Sequence, residues 1–323
     1  MAYTFVYVIF FLYLCTQYFE FYDKVNFDMT IKVTYNIFLL RSVWRCIMAR
    51  NKAIRPTQSY EYYRYLYLAF YSRLLKNGHW RMIFYQFSDG DNICIIPLVV
   101  NKKRKKIRSV SYYGRLDYDD IISSTASEKF IRECFVELCT QYPNYDMVWK
   151  NINEQGLLYS IIKEITTLLG PCVAIRMPDS YDGYYSSLSK HQRQNIRTSY
   201  NRLVSDGISV SLDYYDDVHP MNSSIWNQCE RMYEVRHDYK VSNPLRQWWE
   251  RYTNPYHHIM MNHPERLVFV LYANNIPIAY MAGFYNRGQK SYYIPRLCID
   301  EQYSRYSPGI VLVNEVAKRL IAM

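Results

Sequence analysis

The sequence predicts an α/β chain of two tandem units, each with a mixed, mainly antiparallel sheet flanked by helices. Three observations carry this. A three-stranded layout occurs twice, helical periodicity brackets each copy, and 323 residues suffice for two cores of ordinary size. The first copy spans residues 80–114: RMIFYQF, the turn SDGDN, the apolar run ICIIPLVV, the polar turn NKKRKK, then IRSVSYYG. The second spans 267–299: LVFVLYA, the turn NN, IPIAYMAGFY, the turn NRGQ, then KSYYIPRLCI. The Asp-Gly, Asn-Asn and Arg-Gly dipeptides favour tight reversals, and a Tyr-Tyr pair sits in the third strand of both.

The remaining elements follow in chain order. Residues 59–76 place Tyr63, Leu66, Tyr67, Phe70 and Leu74 on one helical face, and Gly78 ends the helix. Residues 127–141 repeat the pattern with Phe130, Ile131, Cys134, Phe135 and Leu138. A strand over 146–152 and a helix over 156–169 complete the first unit. Residues 186–205 form a helix with Leu188, Ile196 and Leu203 as its apolar stripe, and Lys190, Arg193 and Arg197 as a neighbouring basic one. Asp206-Gly207 ends it, and Ile208, Val210 and Leu212 alternate as a strand. Helices over 223–239 and 244–252 precede the second meander, with Pro244 suited to a first turn. A final helix starts at Pro308.

Composition narrows the class. Apolar residues make up 50% and charged residues 21%, which is globular rather than disordered. The aromatic share of 17%, mostly 36 Tyr, reads as core filler. A net charge of +10 favours phosphate-bearing or otherwise anionic ligands without choosing among them. The 8 Cys show no metal or disulfide spacing, which points to a reducing cytosol. His257, His258 and His263 lack partners at ligand spacing, so no metal is expected. Residues 1–28 are largely apolar but interrupted by Thr4, Thr16, Gln17 and Glu20. They have no basic leader or cleavage site, which excludes a signal peptide. Two readings stay open: translation beginning at Met29, or an interfacial or membrane anchor.

At several places the residues resemble a known family. SLSKHQRQNIRTSYNRLVSDGISVSL (187–212), SYYGRLDYDD (111–120) and YSPGIVLVNEV (306–316), with Trp44 and Gln58, are similar to the CelD-like branch of the GNAT acyltransferases, associated with cellulose biosynthesis. The resemblance to the FemAB-type aminoacyl transferases, which share a double-GNAT build, is more distant. The match covers roughly residues 30–323. It implies an apolar segment at 1–28, a first GNAT-like domain at 29–185 and a second at 186–323. It also implies that the second domain lacks its final strand, which reads as a C-terminal truncation.

The resemblance further implies acyl transfer from acetyl-CoA or another acyl-CoA to an amine or hydroxyl of a small or surface-polysaccharide-related acceptor. FemAB-like aminoacyl transfer to a cell-wall precursor and a non-catalytic binding protein are the alternatives. Nucleic acid is not an expected partner, since no stacked aromatic–basic RNA motif is visible. Acyl transfer needs an anion site, oxyanion donors and a base. The turn at Arg305, Ser307, Gly309 and Ile310 offers helix N-terminal amides for a pyrophosphate. By resemblance, a backbone amide of Leu297, Cys298 or Ile299 would steady the oxyanion. Asp300 is the candidate base and Tyr293 the candidate acid; a cap residue and a core residue are their structural alternatives. Arg193 and Arg197 would hold an anionic acceptor, and Asp117, Tyr118 and Asp120 its amine or hydroxyls, unless these are a solvated helix face and a structural turn.

Overall fold

The computed structural model describes residues 2–11, 29–72, 79–110, 119–240, 243–245 and 256–323. The chain divides into two units, Met1–Ala174 and Ile175–Met323.

Unit 1 is built on a mixed sheet. Its strands are β1 (Ala2–Phe11), β2 (Thr30–Thr34), β3 (Trp80–Asp89), β4 (Asn92–Asn101), β5 (Lys106–Ser109), β6 (Ile122–Ser123), β7 (Asp146–Asn153) and β8 (Thr167–Val173). The order is β2-β3-β4-β5-β7-β1-β8, with β6 on β4, and only β5–β7 is a parallel strand pair. The predicted first meander is β3-β4-β5. ICIIPLVV reads as unbroken apolar sequence because β4 is central and buried on both faces. Ile83, Tyr85 and Phe87 face one core with α3 (Glu128–Thr140) and α4 (Leu157–Ile162). Phe84 meets Trp44 of α1 (Arg41–Arg50) on the opposite face, beside α2 (Tyr60–Ser72). Trp44 Nε1 donates to the Gln58 carbonyl at 3.0 Å, so the two residues singled out in the sequence hold each other in the core.

Two expectations are corrected in this unit. Residues 2–11 are not an appendage: β1 lies between β7 and β8, antiparallel to both. A strand paired on both edges demands the same apolar run that a membrane segment does, so sequence could not separate them. No helix among the described residues is long and apolar enough to cross a membrane. The helix expected over 156–169 stops at Ile162, passes a 3-10 turn at Lys163–Ile165 and becomes β8. Thr166-Thr167 and Gly170-Pro171 are poor helix interior, and pairing with β1 gives them a ladder. The C-terminal ends of the predicted helix 59–76 and of the third strand, with Gly78, lie outside the described residues.

Unit 2 has a four-stranded antiparallel sheet of β9 (Val210–Tyr215), β10 (Arg266–Ala273), β11 (Ile276–Asn286) and β12 (Ser291–Ile299), in the order β12-β11-β10-β9. The predicted second meander is β10-β11-β12. Its Asn-Asn turn has φ of 48° and 67° at Asn274 and Asn275, the left-handed pair a two-residue hairpin needs. Leu267, Phe269, Leu271, Ala279 and Met281 pack against α9 (Pro308–Ala322) and Leu203 of α6 (Lys190–Ser205). The other face carries Tyr280, Ala282 and Phe284 toward α7 (Ser223–Lys240) and α8 (Tyr256–Asn262), where Trp226 meets Tyr280 edge-on and His263 meets Phe284. His257 and His258 belong to α8. Of the helix expected over 244–252, only Pro244 and Leu245 are described, and both are helical.

The helix expected from residue 186 is two helices, α5 (Tyr181–Ser187) and α6, broken at Leu188-Ser189. Ser189 and Gln192 form a capping box that starts α6. Asp206 and Gly207, at φ 68°, end it as expected. The unit boundary falls before α5 rather than after it. Tyr181 donates to Asn314 Oδ1 at 2.9 Å and Tyr200 donates to Glu315, tying α5 and α6 to α9. Among the described residues no strand follows α9.

Candidate functional site

β12 is the edge strand of unit 2 and carries four of the candidate residues, Tyr293, Leu297, Cys298 and Ile299. Its register on β11 runs Tyr293↔Phe284, then shifts, then Arg296↔Ala282. Ile294 and Pro295 therefore oppose the single residue Gly283, which makes a β-bulge. A proline has no N–H for a ladder, so an edge bulge is where it fits. Gly283 is required there, because a Cβ would lie 1.9 Å from the Tyr293 carbonyl oxygen. Ile294 and Leu297 remain exposed along this strand.

Beyond Ile299 the chain enters a 3-10 turn, Glu301–Tyr306, and then α9. Asp300 caps the turn, accepting from Gln302 N at 3.0 Å. Ser307 sits in the left-handed region at φ 51° and precedes Pro308. The turn brings Gly309 back onto β12: a Cβ at Gly309 would lie 3.4 Å from Ile299 Cγ2 and 3.8 Å from Leu297 Cδ2. The structure thus gathers Leu297, Ile299 and Gly309, which the sequence nominated separately. Cys298 points to the other face, where it is buried.

The anion site is leaner than expected. Pro308 has no amide, and Ile310 and Val311 donate to the Ser307 carbonyl at 2.9 and 3.3 Å. The Gly309 amide is left as the first-turn donor toward an anion, assisted by the positive end of the helix. Arg305 is exposed but ion-paired with Asp206 at 2.7 Å, and its carbonyl accepts from Arg202 at 2.7 Å. Two guanidinium groups therefore stand at this turn, both tied to the end of α6. The chemistry of this donor set, one helix-start amide and two solvent-facing cations, is that of an anion site.

Other nominated residues are placed elsewhere. Tyr293 shares the face of Phe284, opposite to Leu297 and Ile299, and donates to Gln289 Oε1 at 2.9 Å. It is seven positions from Asp300 along the strand, roughly 23 Å at about 3.3 Å per residue. One thioester cannot be served by both. Arg193 donates to the carbonyls of Ser186 and Leu188, at 3.0 and 2.5 Å, and so clamps the α5–α6 break; Arg197 is exposed on α6.

Asp117 and Tyr118 lie outside the described residues. Asp120 is buried and takes the amides of Ile121, Leu157 and Leu158 at 2.7–2.8 Å, capping α4, whose N-cap Gly156 has no side chain to do so. Burial pushes its carboxyl up, although the three amides pull the other way. Its role is structural: Asp120→Ala is expected to cost about 2 kcal/mol, and Asp120→Asn, which keeps an acceptor, about half of that, in urea denaturation.

Sequence reading missed a buried pair beside the bulge. Arg296, 6% exposed, pairs with Glu230 of α7 and lies over the Tyr233 ring, 3.7 Å from its centroid. Burial raises the Glu230 carboxyl despite the attraction of Arg296. The same burial pushes the neighbouring Cys229 thiol up to about 12 and raises Cys298, so neither is poised as a thiolate nucleophile. A Gly and a Pro inside predicted strands were the available signals for the bulge.

The arrangement is an exposed, bulged edge strand running into a glycine-bearing helix start beside two guanidinium groups. It can receive an extended ligand along the strand and an anion at its end. No curated protein matches the chain. Residues 190–323 match the family model of an acetyltransferase (GNAT) domain, a match that begins at α6 and supports placing this part of the chain in the GNAT superfamily.

Proposed function

We propose that the chain is a CelD-like acyltransferase that moves an acyl group, acetyl in the simplest case, from acyl-CoA to an amine or hydroxyl of a small or surface-polysaccharide-related acceptor. Unit 1 is on this reading a second GNAT-like copy, and the enzyme works in the cytoplasm. The observation that carries the donor assignment is Gly309 seated on Leu297 and Ile299. It puts a helix N-terminus at the end of an exposed strand edge, within the stretch that matches the acetyltransferase domain.

The pantetheine arm would run along β12, and the diphosphate would take the Gly309 amide with Arg202 and Arg305. The acceptor's lone pair attacks the thioester carbonyl carbon, the acceptor gives up a proton, the C–S bond breaks, and the departing CoA thiolate takes up a proton to leave as the thiol. Asp300 stands at the strand end as the candidate base. Its single backbone contact leaves acceptor capacity on the carboxylate.

Calorimetry with acetyl-CoA tests this. Wild type should bind with a Kd on the order of micromolar, about −8 kcal/mol. Gly309→Trp, which fills the space between the helix start and β12, should lose more than about tenfold. Arg305→Ala should lose only a few-fold, because Arg202 remains. No heat from folded wild type with acetyl-CoA or a longer acyl-CoA would overturn the donor assignment. Binding without release of free CoA in the presence of amino-sugar acceptors would favour a non-catalytic binder.

A further inference from the structure

Unit 1 contains an open groove of about 710 Å³ that the acyl-transfer reading does not use. It forms where the chain leaves β2, the outermost strand of its sheet. Asn36 caps a 3-10 turn, Ile37–Leu40, by accepting from Phe38 N at 3.0 Å. That turn buries Ile37 and Leu40 and leaves Phe38 49% exposed. Tyr67 and Tyr71, one helical turn apart on α2, come alongside with ring centroids 4.5 Å apart, and Phe38 meets Tyr67 edge-on at 6.0 Å. The Tyr67 hydroxyl donates to the Tyr35 carbonyl at 2.9 Å and that of Tyr71 to the Met82 carbonyl at 3.4 Å. With both hydroxyls tied to backbone, these side chains offer the groove mainly ring surface. Arg81 of β3 and Lys102 of the β4–β5 turn complete the lining, and no carboxylate lines it.

We propose that this groove binds an anionic saccharide, with pyranose rings on Tyr35, Phe38, Tyr67 and Tyr71 and a carboxylate or phosphate of the sugar on Arg81 and Lys102. The volume is that of a small-molecule site. The electron-rich ring faces attract the polarised C–H faces of a pyranose. The neighbouring rings meet at 52° and 84°, which makes a curved wall suited to a puckered ring rather than to one flat base. The Asn36 amide, Arg81 and Lys102 are donors, and sugar hydroxyls and acidic groups are acceptors. Arg81 donates to the Trp80 carbonyl at 2.8 Å; an alkyl chain would gain nothing from the positive charges, and a bare anion nothing from the rings.

The test is calorimetry on the full chain with five probes: a glucuronate-containing disaccharide, glucose 6-phosphate, cellobiose, inorganic phosphate and UMP. At least one acidic sugar should bind about tenfold more tightly than cellobiose and phosphate, and should weaken as salt screens the cations. The disaccharide and the sugar phosphate distinguish a uronate from a phosphate ligand. Phe38→Ser, at an exposed position, should weaken every sugar, whereas Lys102→Gln should weaken only the acidic ones. Gly309→Trp should leave sugar binding intact, which separates this site from the donor site. Three results would overturn the proposal. They are no sugar binding by folded wild type, equal affinity for cellobiose or phosphate, and tighter binding of UMP than of either sugar.

Discussion

Replacing Gly283 by alanine is expected to lower the melting temperature of unit 2 by roughly 10 °C. The added methyl would lie 1.9 Å from the carbonyl oxygen and 2.9 Å from the carbonyl carbon of Tyr293. These are backbone atoms of the paired strand, so no rotamer change relieves the clash. Either the bulge at Ile294–Pro295 is expelled or the β11–β12 ladder opens. Overpacking of this kind costs about 3 kcal/mol, and a unit of this size moves by about 3 °C for each. Gly90→Ala is the control: Gly90 has φ 55° but nothing within 4 Å of a Cβ, so it should show only backbone strain of about 1 kcal/mol. Differential scanning calorimetry checks both. A Gly283→Ala protein that melts with wild type would show that the strand is not bulged there. The same variant should lose acyl-CoA binding, because the bulge sets the course of β12 toward Gly309.

Glu230→Ala should be at least as damaging, for an electrostatic reason. It strands the guanidinium of Arg296, whose side chain is 5% exposed, without its counter-charge. Breaking a buried pair on one side costs about 3–5 kcal/mol, whereas replacing both partners by apolar residues of similar volume is near neutral. Glu230→Met combined with Arg296→Met should therefore recover most of what Glu230→Ala loses. The wild-type pair also has a pH signature. Burial raises the Glu230 carboxyl above its ordinary value. Between the ordinary and the raised value, the folded chain holds a proton that the unfolded chain has released. Stability therefore falls as pH rises through that window, and levels off above it. The double-Met protein should lack this slope in urea titrations run upward in pH from the ordinary glutamate range. An unchanged slope would assign it to another group.

Much of the candidate site was legible because its determinants are local. Asn274-Asn275 marks a hairpin wherever it occurs between apolar alternations, and Asp206-Gly207 ends a helix through backbone conformations its own residues prefer. Ser-Pro-Gly after a strand announces a helix start without reference to anything distant. From such signals both meanders, α3, α7 and the turn at Gly309 were readable. What lay beyond them was pairwise. That Gly309 rests on Leu297 and Ile299, that Arg305 is held by Asp206, that Tyr293 faces away from the turn, and that Asp120 caps α4 from 37 positions upstream are facts about partners far apart in sequence.

The apolar run at 2–11 shows the division most plainly. Hydropathy establishes that its apolar side chains favour a place away from water, and both a membrane and a sheet interior can provide one. Only the presence of β7 and β8 on either side made it a strand. By itself, then, the sequence determined the two meanders, their tight turns and several helix starts and stops, since those preferences arise within a few residues, but it left residues 2–11 undecided and read the start of β8, 167–169, as helix. The tertiary structure decided which nominated side chains meet, because contact depends on register and on the face each strand presents, and one residue at a bulge reverses that face.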